Sequence, residues 1–240
     1  MRPFKSCDYT ILNGKRYCYL NDDNPSIAYT YTERCFVAQP LAGKDINNKH
    51  NVITVPLMMT DEWNIIQQQP EIIDTLRSRE KTHMFNYVGQ CDYMGRGVFR
   101  DLKLPGYDFE ETKSVYNLPR IEKQQALLEF LYRISQARFV FCPRGMGSSS
   151  FRAYQAMMVG SIPIITGMND YPFSSEVDWS TICIEGSISN VLGLAEQAVS
   201  MSDEEFYDMR GSAISFWDNY CRHDSLYNQL KKYEYNRDSI

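Results

Sequence analysis

RFVFCPRGMGSSSFRAYQAMMVGSIPII, residues 138–165, decides how this chain folds. An apolar run (Phe139, Val140, Phe141, Cys142) stops at Pro143. A basic turn rich in glycine and serine follows, then a helix-like stretch bearing Arg152, then a second apolar run over 162–165. The order is strand, turn, helix, strand. Such a turn sets free backbone N–H groups and a helix N-terminus beside fixed positive charge, which suits a phosphate or diphosphate. Arg144 and Arg152 add guanidinium forks that grip phosphate oxygens bidentately. No lysine follows the glycines, so this is not a P-loop, and Ser150 stands where a dinucleotide fingerprint needs its third glycine. An ordinary structural turn accounts for the same residues equally well.

Working outward, strands are expected at 35–38, at VITVP (52–56) and at MFNYVG (84–89). A helix broken by Pro70 is expected over 61–79. Pro105-Gly106, Asn117 and Pro119 crowd loop signals into 104–119, the expected seam between two halves. The apolar stripe at 127, 128, 130, 131 and 134 predicts a helix over 121–137. Beyond the opening unit come a loop over 166–179, a strand at 181–184 and a helix over 187–200. Ser202-Asp203-Glu204-Glu205 is a capping box, starting a helix that reaches about residue 220, with one more helix in the tail. Alternating strands and helices predict an α/β fold with a parallel sheet, ligands lying at the carboxyl ends of its strands. The expected units are 1–118, 119–222 and a tail of 223–240.

Composition narrows the classes. The 240 residues suit one large domain or two small ones, and a net charge of −5 weighs against nucleic acid as a partner. No apolar run is long enough for a membrane span, and the N-terminus lacks a signal-peptide core, so a cytoplasmic protein is expected. The seven cysteines are scattered singly, with no metal-ligand spacing, as free thiols in a reducing compartment would be. The 17 tyrosines suit sugar stacking but suit ordinary half-buried positions better.

FCPRGMGSSSFRAYQAMMVGSIPIITGMNDYPFSSEVDW, residues 141–179, resembles the exostosin family of glycosyltransferases. That family carries PRG, SFR, IP and PFSEVxDW blocks in this order. HMFNYVG with Arg96 and Arg100 beyond it is similar to the family's F-x-F-x-G strand and basic helix, VITVP to an earlier strand, and FWDNY to its closing helix. The resemblance spans about 50–222 and is densest at 138–180. It implies a GT-B architecture: two Rossmann-like halves with parallel sheets facing a cleft, the N-terminal half reduced in a chain this short. It implies an inverting transfer from a UDP-sugar, UDP-xylose or UDP-glucuronate being favoured, to a glycan or glycoprotein acceptor. A small soluble enzyme of viral or microbial type is the expected setting. The chain has no Asp-x-Asp, so no metal or other cofactor is expected and protein groups must stabilise the leaving diphosphate.

The resemblance assigns the donor to Arg144, Arg152 and the backbone of Gly147, Ser148, Ser149 and Ser150, with Gln155 at the ribose where the family has glutamate. Pro172 and Phe173 would shape the pocket. Glu176 or Asp178 would hold sugar hydroxyls, Asp178 being equally a structural cap. Arg96 and Arg100 would reach the diphosphate or simply form a solvated helix face. The base is expected at a strand end, Asp61 ahead of Asp92, although carboxylates there also serve as helix caps. A sugar-phosphate epimerase or an inert nucleotide- or glycan-binding module of the same fold are the alternatives.

Overall fold

The computed structural model describes residues 8–12, 15–20, 35–37, 52–57, 59–113, 118–145, 149–168, 171–222, 224–226 and 228–229. Its framework is a parallel sheet of β5 (His83–Gly89), β6 (Tyr107–Glu111), β7 (Ala137–Pro143), β8 (Ile162–Thr166) and β9 (Ile184–Gly186), in the spatial order β6-β5-β7-β8-β9. A second sheet joins β1 (Asp8–Leu12), β2 (Lys15–Leu20), β3 (Cys35–Val37) and β4 (Val52–Thr54), antiparallel between β1 and β2 and parallel thereafter.

The apolar run that opens the sequence reading becomes β7, near the middle of the larger sheet, and its residues alternate between two cores. Phe139 and Phe141 enter one, with Phe85, Tyr87, Phe99 and Ile164. Val140 and Cys142 enter the other, with Leu131, Ala153, Met157 and Ile165. A strand covered on both faces needs a continuous apolar run, which is why this one shows no polar alternation. α3 (Val98–Asp101) and α6 (Val191–Ser200) supply the first core. α4 (Arg120–Ile134), α5 (Phe151–Met158) and part of α7 (Asp203–Phe216) supply the second, joined by α1 (Thr60–Gln68) and α2 (Ile72–Arg77). The break between α1 and α2 falls at Pro70, and Ser202 with Glu205 forms the expected capping box.

Three boundaries differ from the sequence reading. The expected seam contains β6: Gly106 adopts φ +65°, and Tyr107–Glu111 then pairs in parallel with β5. The Pro-Gly signal is therefore a tight turn into an edge strand, and residues on both sides of 118/119 belong to one sheet. The strand expected at 181–184 begins three residues later, because Asp178 caps a 3₁₀ turn at Trp179–Thr181. α7 continues into a π-helical turn, Trp217–Cys221. Among the described residues, no helix is long and apolar enough to cross a membrane. Cys91, Cys142, Cys183 and Cys221 are free, buried thiols.

Guanidinium groups hold the far end of α5. Arg77 donates to the Met158 carbonyl and, bidentately, to Asp218; Arg210 donates to the carbonyls of Gly160 and Arg77. Cations here satisfy carbonyls that a helix C-terminus leaves open. Nearby, Lys81 Nζ donates to the Ser135 carbonyl at 2.7 Å and to Ser161 Oγ at 2.9 Å. No carboxylate pairs with it among the described residues, and burial pulls its pKa from 10.5 down to about 7. The folded pKa lies below the unfolded one, so the unfolded chain holds more protons between about pH 7 and 10.5 and stability rises with pH across that window. Lys81→Met should remove this contribution. In urea titrations at pH 7 and 9.5, wild type should gain about 3 kcal/mol more than the variant on raising the pH.

Candidate donor site at the carboxyl edge of the sheet

The strand order places the first and third strands of the larger sheet side by side, with the second outside the first. Ligands in such sheets bind at the carboxyl end of that switch, here between β5 and β7. The two strands pair at His83, Phe85 and Asn86 with Ala137, Phe139 and Val140, and the register stops there. Arg152 enters beyond it. Its Nη2 donates to the Val88 carbonyl at 2.6 Å, its Nη1 lies 3.5 Å from the Phe141 carbonyl, and its guanidinium sits 4.7 Å from the centre of the Tyr87 ring. One side chain thus serves carbonyls on both strands.

Two glycines make room for arginines. A Cβ on Gly89 would lie 2.4 Å from Arg152 Nη2. A Cβ on Gly167 would lie 3.1 Å from the Arg144 side chain, and Gly167 also adopts φ +81°. The Arg144 amide donates to the Thr166 carbonyl, fixing the start of the turn on β8. From the loop after β5, Arg96 donates through Nη2 to the Arg144 carbonyl at 2.5 Å and lies over the Tyr93 ring. Among the described residues none of Arg96, Arg144 and Arg152 forms an ion pair, and the buried Nε atoms of Arg96 and Arg152 lack partners. Burial holds the Arg96 pKa below its usual value, and burial raises that of Tyr87, whose ring system lies near both guanidiniums. The Arg96 and Arg152 guanidiniums thus share the surroundings of Tyr87; neighbouring cations without counter-charge are costly, and an anion relieves the cost.

Around this cluster the expected residues divide. Ser150 stands in extended geometry before α5, and no side chain caps the helix; Ser149 is buried against Tyr154, its carbonyl accepting from the Gly145 amide. Gly147 and Ser148 lie outside the described residues. Arg100 is already neutralised, held by Asp92 at 2.6 Å and by Glu111 at 2.7 and 2.5 Å. Asp92, the second choice of base, is the exposed partner in that network. Asp61 pairs with Lys123 across α1 and α4 at 2.6 Å.

The PFSSEVDW loop is mostly devoted to its own folding. The Trp179 indole donates to the Pro172 carbonyl, Phe173 is buried at φ +52° in the core, and Asp178 accepts from the Ser180 amide and hydroxyl. For Asp178 the capping alternative is what the structure displays, while Glu176 is exposed beside a separate groove.

Gln155 has a partner that its sequence neighbours do not reveal. Its Nε2 donates to Glu62 Oε1 at 2.5 Å, joining α5 to α1. Glu62 is only 5% exposed, and burial raises its pKa despite the hydrogen bond. Gln155 is thereby coupled to an acid 93 residues upstream. Tyr87, Gly89, Gly167 and Glu62 complete the site that motif reading began; the glycine closing MFNYVG and the acid beside Asp61 were its visible signals.

Gly89→Ala should cost about 1–3 kcal/mol, because the methyl drives Arg152 off the Val88 carbonyl and strands a buried acceptor. Thermal unfolding of the variant checks this, with Gly97→Ala as a control, since an added Cβ there finds its nearest neighbour at 3.9 Å.

No protein-family profile matches the chain. Over 90 residues it is 28% identical to a Caenorhabditis elegans protein named Exostosin-1 homolog, covering 37% of this chain and 24% of that one. Over 108 residues it is 28% identical to a probable glycosyltransferase of Arabidopsis thaliana, covering 45% and 20%. The chain thus matches a quarter or less of the length of each of these relatives, and both similarities point toward the glycosyltransferases.

Proposed function

We propose that this chain binds a nucleotide-sugar diphosphate at the β5/β7 edge and acts in an inverting glycosyltransferase of exostosin-like type, with UDP as the nucleotide. The observation that carries the reading is the group of Arg96, Arg144 and Arg152, none of them ion-paired among the described residues, at the switch point of a parallel sheet. In the transfer, the acceptor hydroxyl gives its proton to a base and its oxygen attacks the anomeric carbon. The bond from that carbon to the phosphate oxygen breaks on the opposite face, and the electron pair leaves with the diphosphate. Arg144 and Arg96 face the growing charge and lower the barrier electrostatically, without any metal in this reading. Arg152 keeps the strand ends apart and adds its charge from beneath.

Gln155 offers an amide to the ribose, its orientation set by Glu62. Asp61 is the preferred base, since α1 adjoins the donor helix; Lys123 holds its carboxylate. UDP-xylose and UDP-glucuronate are the favoured donors, with a glycan or glycoprotein as acceptor. An inert binding module of the same fold is the second reading, favoured by one observation: Asp61 and Asp92 are both engaged in ion pairs.

UDP should raise the thermal midpoint of the protein, and Arg144→Ala should abolish that shift. If the chain is catalytic, Arg144→Ala should also lower kcat by about 10²–10³, the range found when one stabilising donor is lost. Arg100→Ala should leave both quantities nearly unchanged, because its charge is already spent on Asp92 and Glu111. Nucleotide binding without turnover on any nucleotide sugar would select the inert module. Absence of a UDP shift in the wild type would reject both readings.

A further inference from the structure

A groove lies along α7, away from the arginine cluster, between that helix and the segment carrying Glu176 and Thr181. It is a wide-open trough of about 500 Å³. On the helix side its wall is one face: Tyr207, Asp208, Gly211, Ser212 and Ser215, with Tyr220 beyond them in the π-helical turn. Gly211 is the informative residue. Glycine inside a helix is less stable than alanine, because it loses more backbone freedom on folding. Gly160 and Gly186 have local reasons: Gly160 has φ +71°, and a Cβ on Gly186 would meet Leu194 at 2.8 Å. A Cβ on Gly211 would meet nothing within 4 Å, and its helical backbone does not demand glycine. Its absence of a side chain deepens the trough and does nothing else visible in the fold.

The chemistry of the walls is mixed. Tyr207 is 63% exposed, far above what a tyrosine packed in a core would show, and Tyr220 is half-buried, stacked on Phe216. Aromatic faces at two points along a trough suit flat rings with one apolar face. Between them, the Ser212 and Ser215 hydroxyls can donate, the Thr181 hydroxyl, whose proton goes to the Asp178 carbonyl, can accept, and the Asp208 carboxylate accepts. Among the described residues no lysine or arginine lines the groove, so phosphates, sulfates and uronates find no counter-charge and meet the Asp208 carboxylate.

We infer that this groove binds an uncharged oligosaccharide. The sugar rings would lie against Tyr207 and Tyr220, one passing over Gly211, with their hydroxyls bonded to the serines and Asp208. Taking this ligand to be the acceptor chain rests on the transferase reading above; the binding itself does not.

The experiment titrates the full chain with cellotetraose and chitotetraose, and with a hyaluronan tetrasaccharide as the acidic counterpart, followed by calorimetry or by NMR shifts. A neutral tetrasaccharide should bind, at least ten-fold tighter than the hyaluronan one. Tyr207→Ala should weaken binding at least ten-fold. Gly211→Leu should weaken it as much while raising the thermal midpoint, since leucine is the better helix former and its side chain fills the trough. Both variants should keep the UDP-induced thermal shift. Lack of binding by any tetrasaccharide, preference for the acidic one, or binding unaffected by Gly211→Leu would overturn the inference. A UDP shift without glycan binding rejects the groove alone; glycan binding without a UDP shift rejects the transferase reading and leaves the groove standing.

Discussion

Arg152 is the contact on which the carboxyl edge of the sheet depends. Two parallel strands that part company leave carbonyls without ladder partners, and buried carbonyls must be satisfied. β5 and β7 stop pairing after Asn86 and Val140, and one guanidinium from the first turn of α5 serves Val88 and lies beside Phe141. The same group lies on Tyr87 and over Gly89, where an added Cβ would push it aside. The crevice is thus built by a side chain that bridges two strands, and the arrangement positions the N-terminus of α5 above it. A lysine could not do this, because a single ammonium cannot span two carbonyls in a fixed plane.

The electrostatics follow from that choice. Among the described residues Arg152 meets carbonyls and Tyr87 but no carboxylate, and Arg96 repeats the arrangement by donating to the Arg144 carbonyl beside Tyr87. The protein has acids to spare and uses them elsewhere: Arg77, Arg100, Arg133 and Arg138 each face a carboxylate. Arg210 on α7 shares with the arginines of the strand ends the habit of meeting carbonyls, there closing the end of α5.

Much of this was legible in the sequence because the responsible forces are local. The apolar runs of β7 and β8, the Pro70 break, the capping box and the basic turn each depend on a few adjacent residues. What escaped depends on distant partners. The Pro105-Gly106 pair carries the same signal whether it ends a unit or turns into an edge strand, and only pairing with β5 decides between them. Arg100 and Arg96 are four residues apart and look alike; Glu111, on the neighbouring strand, neutralises the first and not the second. Asp178 and Glu176 share a loop, yet one is a cap because Ser180 follows at the right distance. Residue type narrowed the roles, and long-range contacts assigned them.

Gln155 shows how such a contact alters the meaning of a motif. Read alone, an amide in place of an acid suggests a weakened ribose contact. Paired with Glu62, it becomes one half of an acid–amide couple whose carboxyl is carried by α1. A carboxylate on α5 facing Glu62 would place two like charges in a buried space, raising the pKa of at least one of them. Glutamine avoids that repulsion and donates the hydrogen bond that Glu62 needs. Glutamine at 155 is therefore tied to the acid on α1: a glutamate there would be unfavourable unless Glu62 were neutral. Burial pushes Glu62 toward the protonated form, while the hydrogen bond from Gln155 favours the carboxylate.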